Sequence, residues 1–211
     1  MMQFQDRYHA GDVLGKLLST RLGDVTDGIV LGLPRGGVPV AAQVASHLDL
    51  PLDVYVARKL GVPGHRELAM GAIATGGVIV LNDAVIRQFE IDTACIDATV
   101  EQELIELERR EREYRDNRPQ PDLTGKDVIL VDDGIATGSS MRAAVEATKV
   151  SEPNTVIVAV PVAPRSANWE LAPLVDQFFV VTTPDPFEAV GWFYRDFTQT
   201  SDDEVRQLLA S

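Results

Sequence analysis

The chain has a single cysteine, Cys95, in 211 residues. No intramolecular disulfide and no cysteine-based zinc site can form, and a lone thiol of this kind reads as a small buried hydrophobe. Basic residues are also scarce: 19 Lys and Arg stand against 32 Asp and Glu, a formal net charge of -13. Such a balance argues against a general nucleic-acid binder, because phosphate backbones want a basic footprint. No run of about 18 apolar residues exists to cross a bilayer, and the opening stretch MMQFQDRYHAGD lacks the apolar core of a signal peptide. These absences predict a cytoplasmic protein with neither membrane nor nucleic-acid partners. What is present is a 45% hydrophobic share beside 24% charge, which is too apolar for a disordered chain. A chain of this length buries about 70% of the surface its unfolded form exposes. One domain over residues 1–211 is therefore expected.

Short Val- and Ile-rich runs alternate with amphipathic stretches, the pattern of βαβ units around a mostly parallel sheet flanked by helices. Strands are predicted from Gly28, Asp53, Val78, Asp127, Thr155 and Gln177. Helices are predicted over residues 12–22, 38–48, 92–116, 139–150, 165–171 and 201–209, the last with Ser201 as cap and Glu204 completing a capping box. Within 92–116, Ile96, Val100, Leu104, Leu107 and Tyr114 make one narrow apolar stripe on an otherwise charged helix. It reads as a surface helix packed by one face, with too few heptads for a coiled coil.

The most informative stretch is VILVDDGIATGSSM, residues 128–141: a hydrophobic strand, two carboxylates, a loop of small residues, then a helix. Gly134 and Gly138 permit close backbone approach, while Ala136, Thr137, Ser139 and Ser140 add little bulk, backbone amides and three hydroxyls. Because the loop opens a helix, its amides and the positive end of the dipole converge on a spot suited to phosphate. Asp132 and Asp133 leave the carboxyl end of a parallel strand, where open α/β sheets place ligands. Carboxylates beside a phosphate cradle make sense if they hold sugar hydroxyls, directly or through a hard cation such as Mg²⁺. A P-loop, GxGxxG, GxSxG and HExxH are all missing.

These residues resemble the signature of the type I phosphoribosyltransferases: a strand, two acids and a small-residue loop ending in Thr-Gly-x-Ser/Thr. The resemblance implies the fold of that family, with a small hood built from the chain termini, about 1–10 and 184–211. It implies that Asp132 and Asp133 engage the ribose hydroxyls of phosphoribosyl pyrophosphate, and that Gly134, Ile135, Ala136, Thr137, Gly138, Ser139 and Ser140 bind its 5-phosphate. Mg²⁺ is the implied cofactor, met by Asp132 and Asp133 through water or substrate. A homodimer is an open alternative to a monomer.

Two further stretches extend the resemblance. In LPRGGVPVAA, residues 33–42, Arg35 with the amides of Gly36 and Gly37 corresponds to a pyrophosphate-binding loop that often holds a strained peptide. In ARKLGVPGHRELAMGAI, residues 57–73, Arg58 and Lys59 end a predicted strand and are expected to meet pyrophosphate as catalytic cations. The remainder, about 59–73, looks like the mobile lid that such enzymes close over substrate; for His65 and Arg66 a solvated-loop reading stands beside a catalytic one. Together with VPVAPR and PDPFEAVGWFYRDF, these motifs resemble stand-alone bacterial phosphoribosyltransferase-domain proteins of this length, over nearly the whole chain.

By that resemblance the reaction passes through an oxocarbenium-like state and needs positioning and charge stabilisation, not a covalent nucleophile. The acceptor is a nitrogenous compound. Hypoxanthine and guanine enzymes carry an acid where this chain has Ala136, which argues against a purine of that kind, although adenine and orotate enzymes also lack it. Hood aromatics Phe187, Trp192, Phe193 and Tyr194, with residues 4–9, either stack on a flat base or close the core, and core closure is the expectation. Two other classes stand beside the transferase: a regulatory module that senses phosphoribosyl pyrophosphate or a nucleotide without turnover, and a phosphatase or kinase, which the missing phosphoryl-transfer motifs disfavour.

Overall fold

Three runs of Val, Ile and Leu, at residues 28–32, 127–131 and 155–162, have no polar face to offer water, so each is stable only as a strand covered on both sides. The computed structural model describes residues 3–23, 25, 27–115 and 118–210, with only the backbone at Arg66 and Glu67. The chain begins with α1 (Arg7–Arg21), β1 (Gly28–Gly32), α2 (Gly37–Leu48) and β2 (Leu52–Val54). Next come β3 (Ala57–Val62), β4 (His65–Ala74), β5 (Val78–Leu81), α3 (Asp83–Gln88) and α4 (Thr93–Arg115). The second half runs through β6 (Asp127–Val131), α5 (Ser139–Val150), β7 (Thr155–Val162), α6 (Ala167–Glu170), β8 (Gln177–Thr182) and α7 (Asp202–Ala210).

The main sheet has five strands in the order β2-β1-β6-β7-β8, every pair parallel. Side chains alternate across it, as a period of two requires. Leu31, Leu130 and Val158 meet Met141, Ala144 and Val145 of α5 on one face. Val30, Ile129 and Ile157 meet Leu14 and Leu18 of α1 with Val40 and Val44 of α2 on the other. This is a parallel α/β sheet flanked by helices, as predicted.

The predicted strand from Asp53 divides. Residues 52–54 stay in the main sheet, and from Ala57 the chain enters a second, antiparallel sheet β3-β4-β5. The strand at residues 78–81 joins this small sheet rather than the parallel one. Residues 59–73, the expected lid, lie in a β-hairpin. Its two-residue connection is Pro63-Gly64, with Gly64 at φ 76, the residue pair that a tight turn with a left-handed third position selects. Buried Leu60, Met70 and Ile73 of the hairpin pack on Leu107 and Tyr114 of α4 and on Val205 and Leu209 of α7. The apolar stripe of α4 therefore serves the hairpin, and its charged face carries the ion pairs of Glu106 with Arg109 at 2.8 Å and Arg110 at 2.7 Å. Asp116, the expected last residue of that helix, lies outside the described residues.

The two segments expected to form a hood meet through Phe4 and residues 193–195. Phe4 donates its backbone N–H to the carbonyl of Phe193 at 2.7 Å and accepts from Arg195 N–H at 2.9 Å. Phe4, Phe193 and Tyr194 are buried together with Val162. Core closure is thus the work of these aromatics, while Trp192 stays 65% exposed. The expected N-terminal hood segment is partly helical, since α1 begins at Arg7; Met1, Met2 and Ser211 lie outside the described residues. Ser201 caps α7, its Oγ accepting from Glu204 N–H at 3.1 Å.

Ile129 sits fully buried in the centre of the main sheet. Ile129→Ala is expected to cost about 2–5 kcal/mol of unfolding free energy, read as a lower denaturant midpoint at unchanged slope.

Candidate active site

The carboxyl ends of β1 and β6 lie side by side in register, Gly32 opposite Val131. The LPRGG loop and the Asp132-Asp133 pair are consequently neighbours, as the open-sheet rule predicts. Contact between them is close enough to demand glycine. A Cβ at Gly37 would lie 2.7 Å from the carbonyl of Val131 and 2.8 Å from Asp132 Cα, and one at Gly36 would collide with the Asp133 carboxylate. The Gly37 N–H is used locally, donating to the Leu33 carbonyl at 2.9 Å. It is therefore not offered to an anion as expected, whereas Gly36 lines a cavity. The Pro34–Arg35 peptide is cis.

Beyond the acids, residues 134–140 curl round a recess of about 180 Å³ that also touches Asp132 and Val190. Gly138 takes φ 72 as the residue before α5, and no side chain caps the helix. The first turn of α5 lines the recess through Ser139, Ser140 and Met141; Ser139 N–H donates to Thr137 Oγ1 at 3.5 Å, and the positive end of the helix dipole there favours an anion. Ile135 is the exception in the loop, since its N–H donates to the Val162 carbonyl at 2.9 Å and its side chain joins the core.

The recess shares Asp132, Thr137, Ser139 and Ser140 with a cavity of about 800 Å³. Arg58, Lys59, Glu103 and Arg110 also line that cavity, so β3 and α4 bring cations to the space that Asp132 faces. Arg58 pairs with Glu103 of α4. Arg58 and Lys59 stand near the beginning of a strand instead of ending one, and both line the larger cavity. A second cavity, about 630 Å³, lies past Pro34 and is lined by Arg7, Arg35, Gly36, Arg110, Asp133 and Asp202 among others. The two acids thereby face different spaces: Asp132 the recess and larger cavity, Asp133 the second one. Arg35 points into the second cavity, where it reaches Asp202 at 3.4 Å, and does not line the larger one.

Three residues take parts that the sequence did not assign to them. Arg7 Nε donates to Asp133 Oδ2 at 2.8 Å and its Nη1 to the Thr198 carbonyl at 2.7 Å, with the guanidinium 4.0 Å over the Phe197 ring. Tyr194 donates its hydroxyl to the Asp133 carbonyl at 2.5 Å. Arg110 belongs to a helix of alternating charge in which nothing local distinguishes it from Arg109. His65 lies 5.2 Å from Phe89, ring to ring, and the Arg66 side chain is outside the described residues.

Electrostatics separate the two acids. Burial, then the adjacent Asp133 charge, pushes Asp132 well above the usual carboxylate range. Burial also raises Asp133, but Arg7 opposes that shift. Among the described residues no cluster of three or more metal-ligating side chains exists.

A family model, the phosphoribosyl transferase domain, matches residues 64–170. The chain belongs to the phosphoribosyl transferase family. It is 48% identical over 209 residues to a Mycobacterium tuberculosis protein named "Putative phosphoribosyl transferase Rv0571c". That alignment takes in 99% of this chain and 47% of the relative, so the chain spans about half the length of the curated relatives it matches. The crystal structure of TT1426 from Thermus thermophilus superposes with TM-score 0.91 at 41% identity, covering 99% of this chain and 98% of that one. A 64-residue stretch, 30% of this chain, is 36% identical to "Bifunctional protein PyrR" of Actinobacillus pleuropneumoniae and covers 36% of that protein. No helix of the described residues is long and apolar enough to cross a membrane.

A raised carboxyl group makes a testable demand on this phosphoribosyl transferase domain. The folded state keeps the Asp132 proton at pH values where the unfolded chain, with a pKa of about 3.9, has lost it. Stability should then fall as pH rises from about 4 through the raised value of Asp132, and level off above it. Asp132→Asn is expected to flatten that slope in metal-free buffer and raise the melting temperature at neutral pH, about 2–4 °C for each kcal/mol. A lower melting temperature in the variant would contradict the burial cost assigned to Asp132.

Proposed function

We propose that the protein is a Mg²⁺-assisted phosphoribosyltransferase, moving the phosphoribosyl group of phosphoribosyl pyrophosphate to a nitrogenous acceptor and releasing pyrophosphate. The observation carrying this reading is that Asp132 opens at once onto the amide-lined recess of residues 134–140 and onto the cavity walled by Arg58 and Lys59. One end of that continuous space suits a 5-phosphate, the middle a ribose, and the far end a pyrophosphate.

In the step so assigned, the C1–O bond breaks and its electron pair leaves on pyrophosphate. The acceptor nitrogen's lone pair forms the new C1–N bond, and the nitrogen's proton passes to water. Arg58 and Lys59 take up charge on the departing group, and the Asp132 carboxylate faces the ribose where positive charge develops. The hairpin β3-β4, which carries both cations, closes one side of the cavity and limits water. A hard cation fits this arrangement on one ground: Asp132 is a buried acid whose neighbour Arg7 is committed to Asp133. When bound with the donor, Mg²⁺ would neutralise pyrophosphate charge while keeping most of its ligands as water and phosphate oxygen.

A second reading keeps the donor site and replaces turnover with sensing, and the short likeness to a protein named bifunctional favours it. Both readings predict donor binding. Calorimetry with phosphoribosyl pyrophosphate should give a Mg²⁺-dependent affinity that falls about tenfold or more in Asp132→Asn with Asp133→Asn, the cost of charge-assisted hydrogen bonds at about 1.5–3 kcal/mol each. An unchanged affinity would remove the site assignment. Acceptor-dependent pyrophosphate release then separates transferase from sensor.

A further inference from the structure

Arg58 is one of the two cations assigned above to the leaving pyrophosphate, yet it already has a carboxylate on it. Glu103 of α4 accepts from its Nε, and both residues line the cavity of about 800 Å³ that shares Asp132, Thr137, Ser139 and Ser140 with the recess. Their side chains are 28% and 20% exposed, so water screens this pair less than it would a surface one. A negative charge in a space meant for an anion repels that anion, and it also occupies the guanidinium that would bind it.

The pairing is exclusive on both sides. Among the described residues, Glu103 has no other cation in contact and the Arg58 guanidinium no other hydrogen bond. Glu106, three residues further along α4, divides its charge between Arg109 and Arg110 instead. A bidentate grip on an anion through Nε and a terminal nitrogen requires Arg58 to leave Glu103. A grip through the two terminal nitrogens leaves the anion facing a guanidinium whose charge is already balanced. Either way the carboxylate weakens the contact. The helix around Glu103 is also lightly held: from Gly76 to Glu106 no residue is buried, and the first buried side chain of α4 is Leu107. Less packing therefore resists a shift of this half of the helix than of the other.

We propose that Glu103 is a positioning residue that acts through Arg58 as an internal competitor: its carboxylate holds the guanidinium in the free protein, gives it up to the pyrophosphate of the bound donor, and takes it back as pyrophosphate leaves. The naming of pyrophosphate rests on the function proposed above; the competition for Arg58 does not. An equilibrium between paired and open Arg58 weakens every anion that uses this residue by the same factor. The donor, anchored also by its 5-phosphate and ribose, stays bound at that lower affinity. Free pyrophosphate lacks both anchors and is released.

The test is calorimetry of the whole chain with inorganic pyrophosphate at fixed Mg²⁺. Glu103→Gln, which keeps the size and removes the charge, is expected to bind pyrophosphate about tenfold tighter, the worth of one charge-assisted hydrogen bond. Glu103→Asp, one methylene short of Arg58, should give a smaller gain of the same sign. Glu101→Gln removes an equal charge from an exposed position on α4 and should leave the affinity as it is. In an Arg58→Gln background, Glu103→Gln should bring no gain. An ion pair that serves folding alone predicts a lower melting temperature in Glu103→Gln and no tighter binding. Unchanged or weaker pyrophosphate binding in that variant, an equal gain from Glu101→Gln, or a gain that survives without Arg58 would each overturn the proposal. Tighter pyrophosphate binding in Glu103→Gln by a protein that takes no phosphoribosyl pyrophosphate would refute the function proposed above and spare the role of Glu103. Donor binding that Glu103→Gln leaves untouched, with pyrophosphate equally unmoved, would do the reverse.

Discussion

Two adjacent carboxylates at the end of a buried parallel strand repel each other and have lost much of their water, and the surrounding structure is arranged around that cost. Burial raises both Asp132 and Asp133 above the usual carboxylate range. Among the described residues, only Asp133 of the two has a cation in contact, Arg7 at 2.8 Å. The same residue is held from behind by Tyr194, whose hydroxyl takes the Asp133 carbonyl. Arg7 comes from the beginning of the chain and Tyr194 from near its end, so the pairing of the two termini is what clamps the acid pair. Gly36 and Gly37 complete the enclosure, because a larger residue at either position would occupy the space of the acids or of the strand that carries them.

The acidic character of the chain and the cationic needs of its ligands are reconciled by segregation. Much of the surplus acid is on α4 and the C-terminal region, where pairs such as Glu106 with Arg109 and Arg110 are solvated and worth little individually. Arg58, Arg35 and Arg110 are drawn inward from three separate elements to line two cavities. The helix α4 has two roles at once. Its apolar stripe supports the β3-β4 hairpin, and its other side supplies Glu103 to hold Arg58 and Arg110 to join the two spaces.

Legibility in the sequence followed the range of the interactions involved. Residues 128–141 were readable because strand, acids, small loop and helix are contiguous, and their local physics already favours a phosphate and a sugar. The parallel sheet was readable from Val- and Ile-rich runs buried on both faces. The hairpin was not, because Gly61, Pro63, Gly64 and several charges within a few residues resemble a loop. Its strands gain stability from α4, α5 and α7, which pack against it from distant parts of the chain.

Arg35 shows the same boundary at a single residue. Its place after β1 and before α2 follows from the chain alone, but its direction does not, since Asp202 draws it into the second cavity across 167 positions of sequence. The sequence by itself determined the α/β order, the acid pair, the phosphate-type loop and the excess of acid. Tertiary structure alone decided that the two acids face different spaces, that Arg7 neutralises only one of them, and that α4 forms a wall of the site. Those facts depend on charges brought together through space, and Coulombic and desolvation energies respond to distance and burial rather than to position along the chain.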